Sequence, residues 1–390
     1  MPSTDTILPL HRLTTAEPAP PRRTTLPDGT PAWHFSRYTD VRFVINHATF
    51  QRDAPTAADD DTTNLVDAPD AVANVHDDQH LRLRRAIKRA FSPRAIARMT
   101  PWVAGVVDQL LDALVEHGSP ADLVTHYTQP LPIAVMRRLT GVHDVDNARL
   151  LHWAEHAFAG ATTDLAKTTE ATREFTEFTL KLLAERRHTP GPDLVSSLVQ
   201  ATDEEGGITE PQLVNLVSTL VVGGHDTAMT MLSNSLLYLL GERPDVWARL
   251  GSDEAAARLL TERMLHLIPL GDPDERPNPL RAHEDIDVGG VTVRAGEIVV
   301  VDRAAANRDP AVFSDDPFSD LFAPLESPTL AFGGGRHYCP GTWLARTELH
   351  LGLHRLAARL PGLRLTTSDD AVQWRLGTIT RSPLHLPVTW

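Results

Sequence analysis

Cys339 ends the run Phe332-Gly333-Gly334-Gly335-Arg336-His337-Tyr338-Cys339, with Pro340 and Gly341 after it, and it is the single cysteine in 390 residues. One thiol excludes an internal disulfide and a multi-cysteine zinc or iron–sulfur site, leaving a free thiol or a metal centre with one thiolate. The glycines allow tight turns and close approach to something flat or bulky. Leu344, Leu349, Leu351 and Leu353 predict a helix directly behind the loop, so the thiol sits just ahead of a helix N-terminus. Unpaired N–H groups and the helix dipole stabilise a thiolate there, which suits a metal ligand or a nucleophile. A buried structural cysteine beside a turn is the plain alternative for the same residues.

Two further clusters carry chemistry. Gly223-Gly224-His225-Asp226-Thr227-Ala228 interrupts a long apolar helix, although each mid-helix glycine costs roughly 1 kcal/mol. A helix passing close to a ligand explains the glycines, with absent side chains making room and a local bulge freeing a carbonyl; a kinked core helix with an exposed acid is the other reading. His225 is a polar filler that by position could face substrate. In His80-Leu81-Arg82-Leu83-Arg84-Arg85, His80 and Arg84 lie four apart on one helix face and can grip one anion, while Arg82, Arg85 and Arg89 point elsewhere. A solvated basic helix is the simpler meaning of that charge run. His76 and His80 share the spacing of a helical zinc pair, but no glutamate base accompanies them, and 18 histidines make such spacings common.

The elements that must position these groups are mostly helices. Val103, Val106, Val107, Leu110, Leu111 and Leu114 have helical spacing, as do Leu232, Leu236, Leu237, Leu239 and Leu240. Strands are expected at Val41 to Val44, across Val288 to Val301 with Gly289-Gly290 as a hairpin turn, and near the C-terminus. The fold class is therefore mainly α with small β-sheets. Residues 1–30, with prolines at 18, 20, 21 and 27, read as a flexible arm before one domain at 31–390, and Thr56 to Asp70 as an acidic mobile loop. A net charge of −14, from 37 basic and 51 acidic residues, argues against a nucleic-acid partner. No run approaches the about 20 apolar residues of a membrane helix and the N-terminus lacks a signal pattern, so the expected location is cytoplasmic, without membrane contact.

The cysteine loop resembles the haem-binding loop of the cytochrome P450 family, Phe-Gly-x-Gly-x-His/Arg-x-Cys-x-Gly, at every fixed position, Phe332 and Gly341 included. The glycine segment is similar to the family's Ala/Gly-Gly-x-Asp/Glu-Thr over the distal haem face, and the His80 to Arg85 helix to one that meets haem propionates. Ala305-Ala306-Asn307-Arg308-Asp309-Pro310, with Phe313 and Pro317, resembles the family's meander approach and takes a structural role. The matches run from about Trp33 to the C-terminus.

The resemblance implies the cytochrome P450 fold with haem b, Cys339 as the axial ligand to iron, and Phe332 beside the thiolate. It places His80, Arg84 and His337 near propionates, Gly224 against the haem, and Asp226 and Thr227 in proton delivery. It implies a monooxygenase acting on a small organic substrate with dioxygen and with electrons from a separate ferredoxin and ferredoxin reductase. The outward arginines would meet the acidic ferredoxin. A bacterial enzyme tailoring a natural product is the expected setting, with substrate contacts from residues 55–77, 155–175, 268–280 and the turn at Leu376 to Thr380. A non-catalytic haem protein and a peroxide-driven oxidase are the alternatives.

Two positions depart from the family pattern. Its Glu-x-x-Arg pair is replaced by Arg263 and His266, and the exposed-looking Glu170 and Arg173 do not restore it. Replacing both members of a buried pair can be nearly neutral, so the fold is expected to retain haem. The strand arginine that meets a propionate falls at Leu280, which leaves Arg281, one place late and turned to the opposite face, as the candidate contact.

Overall fold

Apolar residues three and four apart close into helices because one stripe of each can then be buried against its neighbours. The computed structural model describes residues 17–26, 28–52, 71–143, 145–157, 164–205, 207–271, 279–313, 316, 318–366, 372–375, 378 and 380–390. In chain order the helices are α1 (Tyr38–Asn46), α2 (Asp77–Lys88), α3 (Pro93–His117), α4 (Pro130–Thr140), α5 (Asn147–Ala157), α6 (Leu165–His188), α7 (Leu194–Glu205), α8 (Glu210–Gly241), α9 (Trp247–Ser252), α10 (Glu254–Leu267), α11 (Arg303–Ala306) and α12 (Thr342–Arg359). The strands are β1 (Arg22–Thr25), β2 (Pro31–Phe35), β3 (Phe50–Gln51), β4 (Ala121–Asp122), β5 (Leu280–Ala282), β6 (Ile286–Val288), β7 (Val291–Val293), β8 (Ile298–Val301), β9 (Arg364–Leu365), β10 (Trp374–Arg375), β11 (Ser382–Pro383) and β12 (Pro387–Thr389).

The axis of the molecule is α8. Thr209 and Gln212 form a reciprocal capping box at its start, with a proline in the first turn. An ordinary surface helix buries one stripe, whereas α8 is buried from Gln212 to Leu240 except at Thr219, Gly223, Gly224 and Thr227. Thr219, Gly223 and Thr227 are four apart, so the half-open positions share one face. Helix α12 packs on α3, α8, α9 and α10, which fixes the residues just ahead of it relative to α8.

The larger sheet has the order β1-β2-β8-β5-β3, with β2 parallel to β8 and the other neighbours antiparallel. The order β4-β12-β9 forms a second sheet, and β10-β11 and β6-β7 are two-stranded. Gly289 and Gly290, both at positive φ, make the expected turn between β6 and β7.

Two expectations are corrected. The stretch Val41 to Val44 is helical, within α1, because Val41 and Val44 are both fully buried and only a helix puts positions three apart on one face. Part of the stretch expected as a flexible arm is a strand. Arg22 to Thr25 pair with Pro31 to His34, and Arg23 ties this edge down through an ion pair to Glu297 at 2.6 Å and by stacking over Trp33. The acidic stretch at 56–70 lies outside the described residues. No helix among the described residues is long and apolar enough to cross a membrane.

Candidate active site

The cysteine loop is shaped by its own backbone and by α1. Gly333 and Gly335 take φ of +71° and +57°, a region that side chains rarely enter. A Cβ on Gly335 would stand 2.7 Å from the Ile45 carbonyl, and one on Gly334 2.7 Å from the Ile45 side chain. These two glycines therefore make room for α1, while the Gly335 N–H donates to Asn46 Oδ1 at 2.8 Å. The Cys339 N–H donates to the Phe332 carbonyl at 3.0 Å and the Thr342 hydroxyl to the Cys339 carbonyl at 3.0 Å. The loop is thus closed at its base against the first residue of α12. Burial raises the Cys339 thiol pKa, opposed by the Gly341 N–H, Arg84, the Thr342 hydroxyl and Arg346. These are the groups that would stabilise a thiolate once a metal replaces the proton.

Helix α2 brings its histidine to the loop. His80 is buried, and its ring centroid is 4.3 Å from that of His337. Burial lowers the His80 pKa to about 4 and the His337 pKa to about 3, with nearby cations adding to the effect. Both rings are neutral near pH 7. Arg84 reaches the same place but gives one nitrogen to the Tyr338 carbonyl, at 2.7 Å, beside the cysteine. Arg85 and Arg89 face outward as expected. Arg82 does not, since its chain lies where a Cβ on Gly207 would meet it at 2.9 Å.

On α8 the Thr227 hydroxyl donates to the Gly223 carbonyl at 2.7 Å. The two glycines then divide. A Cβ on Gly223 would meet nothing within 4 Å, whereas one on Gly224 would stand 2.4 Å from Met136 Sδ on α4. The space-making glycine on the open face is therefore Gly223, and the expected role of Gly224 against haem is corrected: it admits a neighbouring helix. His225 turns the same way, lining a crevice with Met136, Leu150 and Val221, and burial lowers its pKa to about 4. It is a filler of the helix interface, away from Thr227.

Asp226 is 1% exposed and clamped from a remote strand and turn. Arg375 on β10 donates to one carboxylate oxygen at 2.6 Å, the Thr380 hydroxyl donates to the other at 2.7 Å, and Arg375 also donates to the Thr380 hydroxyl at 2.8 Å. Neither Arg375 nor Thr380 has a sequence signal pointing to Asp226, because they lie 149 and 154 residues away along the chain. Of the other segments expected to touch substrate, 55–70, 158–163 and 272–278 lie outside the described residues, while 164–175 opens α6.

The departures resolve as follows. Arg281 donates to the Gly296 carbonyl at 2.7 Å, at the turn before β8, so one of its nitrogens serves the sheet. Arg263 and His266 are both 2% exposed and make no pair with each other. Arg263 donates instead to the carbonyls of Ala323 and Pro324 at 3.1 and 3.4 Å, and His266 packs on the Phe313 ring at 4.3 Å with its pKa lowered by burial to about 3. One position earlier, Glu262 holds Arg346 of α12 in a bidentate pair at 2.5 and 2.9 Å. The Arg346 guanidinium lies 4.7 Å over the Phe332 ring. Helix α10 is thus joined to the cysteine helix, and to the first residue of its loop, by a different pair. Arg346 was legible in part, since seven residues past Cys339 is about two helical turns. Glu170 and Arg173 form an exposed pair at 2.6 Å, as expected.

Comparison with known proteins agrees with this geometry. The family model for Cytochrome P450 matches residues 133–258 and 277–360. Nocardicin C N-oxygenase of Nocardia uniformis subsp. tsuyamanensis is 38% identical over 95% of this chain and 92% of its own length. Mycinamicin IV hydroxylase/epoxidase of Micromonospora griseorubida is 34% identical over 96% and 93%. Among solved structures, HinD with NMFT and NO has a TM-score of 0.86 at 34% identity, covering 95% of this chain and 93% of that one. The LnmA cytochrome P450 hydroxylase of the leinamycin pathway of Streptomyces atroolivaceus has a TM-score of 0.85 at 35% identity, covering 98% and 96%. With the thiol loop, the glycine–acid–alcohol helix and these matches in agreement, the chain belongs to the cytochrome P450 family.

Proposed function

We propose that Cys339 binds the iron of a haem lying between α8 and α12, and that Asp226 and Thr227 manage protons on its distal side. The observation that carries this is the meeting of two features. A half-buried lone thiol sits just ahead of α12, and α8, packed on α12, is open mainly along the face of Thr219, Gly223 and Thr227. Membership of the family makes the protein a haem-thiolate monooxygenase. Haem on a thiolate supplies reductive cleavage of dioxygen, one oxygen atom entering an organic substrate.

The residues present fit haem. The thiol has an N–H, a hydroxyl and two guanidinium groups near it. The neutral imidazoles of His80 and His337 form a donor pair for a propionate. Gly223 leaves the helix open where a flat group would approach. Thr227 holds its hydroxyl on the Gly223 carbonyl, at the edge of that opening. Asp226 stands next to Thr227 on α8, its carboxylate held in place by Arg375 and Thr380.

Electrons come, in this reading, from a separate ferredoxin and its reductase, docking near Arg85 and Arg89. Relatives named for oxygenation of nocardicin C and mycinamicin IV support a natural product as substrate. The missing Glu-x-x-Arg pair was the best reason for a non-catalytic haem binder, and the Glu262–Arg346 pair weakens it. The intact acid–alcohol pair favours dioxygen over peroxide as the oxidant. The reduced protein under carbon monoxide should show a strongly red-shifted Soret band that Cys339→Ser lacks. An unshifted band in the wild type would refute thiolate ligation.

A further inference from the structure

Haem carries two carboxylates, and the groups expected to meet them do not all do so. Arg84 has one nitrogen on a backbone carbonyl, Arg281 has one on the Gly296 carbonyl, and the strand position that should carry arginine is Leu280. The guanidinium of Arg303 also approaches the loop. Arg303 opens α11 directly after β8, the strand on which Leu280 is registered through Val299. Its Nη1 lies 3.6 Å from where a Cβ on Gly333 would stand, against the haem loop itself.

The surroundings of Arg303 are those of a cation waiting for an anion. The Arg303 side chain is exposed in the protein alone. Arginine cannot shed its proton, so a guanidinium that a bound haem closes off from water needs a partner charge. The Asp302 carboxylate caps α11 by accepting from the Ala305 N–H at 2.8 Å. No described residue hydrogen-bonds the Arg303 guanidinium.

We infer that Arg303 grips a haem propionate, supplying from the start of α11 the cation that Leu280 does not supply from β5. The inference rests on the haem reading above. It explains how a chain lacking the strand arginine still has a full-strength, charge-assisted donor at the loop.

The test is haem transfer from the loaded protein to excess apomyoglobin, followed optically, for wild type, Arg303→Gln, Arg303→Lys and the double variant Arg303→Gln/Leu280→Arg. Loss of one charge-assisted hydrogen bond should speed haem release about tenfold or more in the glutamine variant. Lysine should fall between, and the double variant should recover most of the loss. Removing a cation near the haem should also lower the reduction potential of the glutamine variant. Equal release rates in wild type and Arg303→Gln would overturn the inference, as would a double variant no slower than the single. Should Arg303→Gln not fold, the lysine and double variants decide by the same rates. Wild-type protein that takes up no haem would instead overturn the reading beneath it.

Discussion

If the Glu262–Arg346 pair is the brace between α10 and the cysteine helix, then Glu262→Gln should loosen the thiolate before it unfolds the protein. The pair is bidentate at 2.5 and 2.9 Å, with side chains 35% and 22% exposed. It is therefore neither a surface pair, worth about 0.2–1 kcal/mol, nor a fully buried one. A charge-assisted bidentate contact in this setting is worth about 1.5–3 kcal/mol. The position of Arg346 over Phe332 adds about 0.5–1 kcal/mol. A loss of about 2 kcal/mol corresponds to roughly thirtyfold in the equilibrium between ligated and detached thiolate. The assay is denaturant titration of the loaded protein, reading the red-shifted Soret band of the reduced carbon monoxide complex beside far-ultraviolet circular dichroism. In Glu262→Gln the Soret transition should move to lower denaturant than the helix transition. A double-mutant cycle with Arg346→Met should return a coupling above about 1 kcal/mol. Coupling near zero would refute the brace and return the missing Glu-x-x-Arg pair to an uncompensated loss.

Further predictions concern the distal helix and the buried histidine. Asp226→Asn should cut turnover by about 100-fold while leaving the carbon monoxide spectrum intact, since a positioned proton donor contributes on that order; unchanged turnover would remove Asp226 from the chemistry. Arg375→Gln should destabilise the fold by about 3–5 kcal/mol, because it strands a buried carboxylate, and Asp226→Asn should recover part of that in the double variant, as measured by thermal unfolding. Gly224→Ala should lower stability through its clash with Met136, a loss relieved by Met136→Ala, whereas Gly223→Ala should keep stability and alter ligand binding on the distal face. His266 has a folded pKa of about 3, below its ordinary 6.5. The unfolded state therefore binds more protons between those values, and stability falls as pH drops through that window by up to about 1.4 kcal/mol per pH unit. His266→Leu should flatten that slope in urea titrations between pH 6.5 and 4, and a wild-type slope in the variant would sink the argument.

The local signals in the chain were enough for the thiol loop, the acid–alcohol helix and the mainly helical class. Cys339, Gly341, Asp226, Thr227, His80 and His337 lie within short runs that match the family's motifs, so the sequence alone proposes them. Even there, local reading failed where a second element decided the outcome. Val41 to Val44 has strand-forming residues but is a helix because two of its valines must be buried on one face. Gly224 and Gly223 are indistinguishable as letters, and only the nearness of Met136 assigns one to the helix interface and the other to the open face.

The tertiary structure alone decided the charges. Arg375 and Thr380 reach Asp226 across about 150 residues, Arg346 answers Glu262 across 84, and Arg303 meets the cysteine loop from the end of a strand. Arg281, which the sequence offered in place of the missing strand arginine, is turned to a sheet carbonyl. Periodicity and turn chemistry act over a few residues and can be read in order along the chain. An ion pair depends on which distant side chains the packed helices bring within about 4 Å, and on how much water that packing removes.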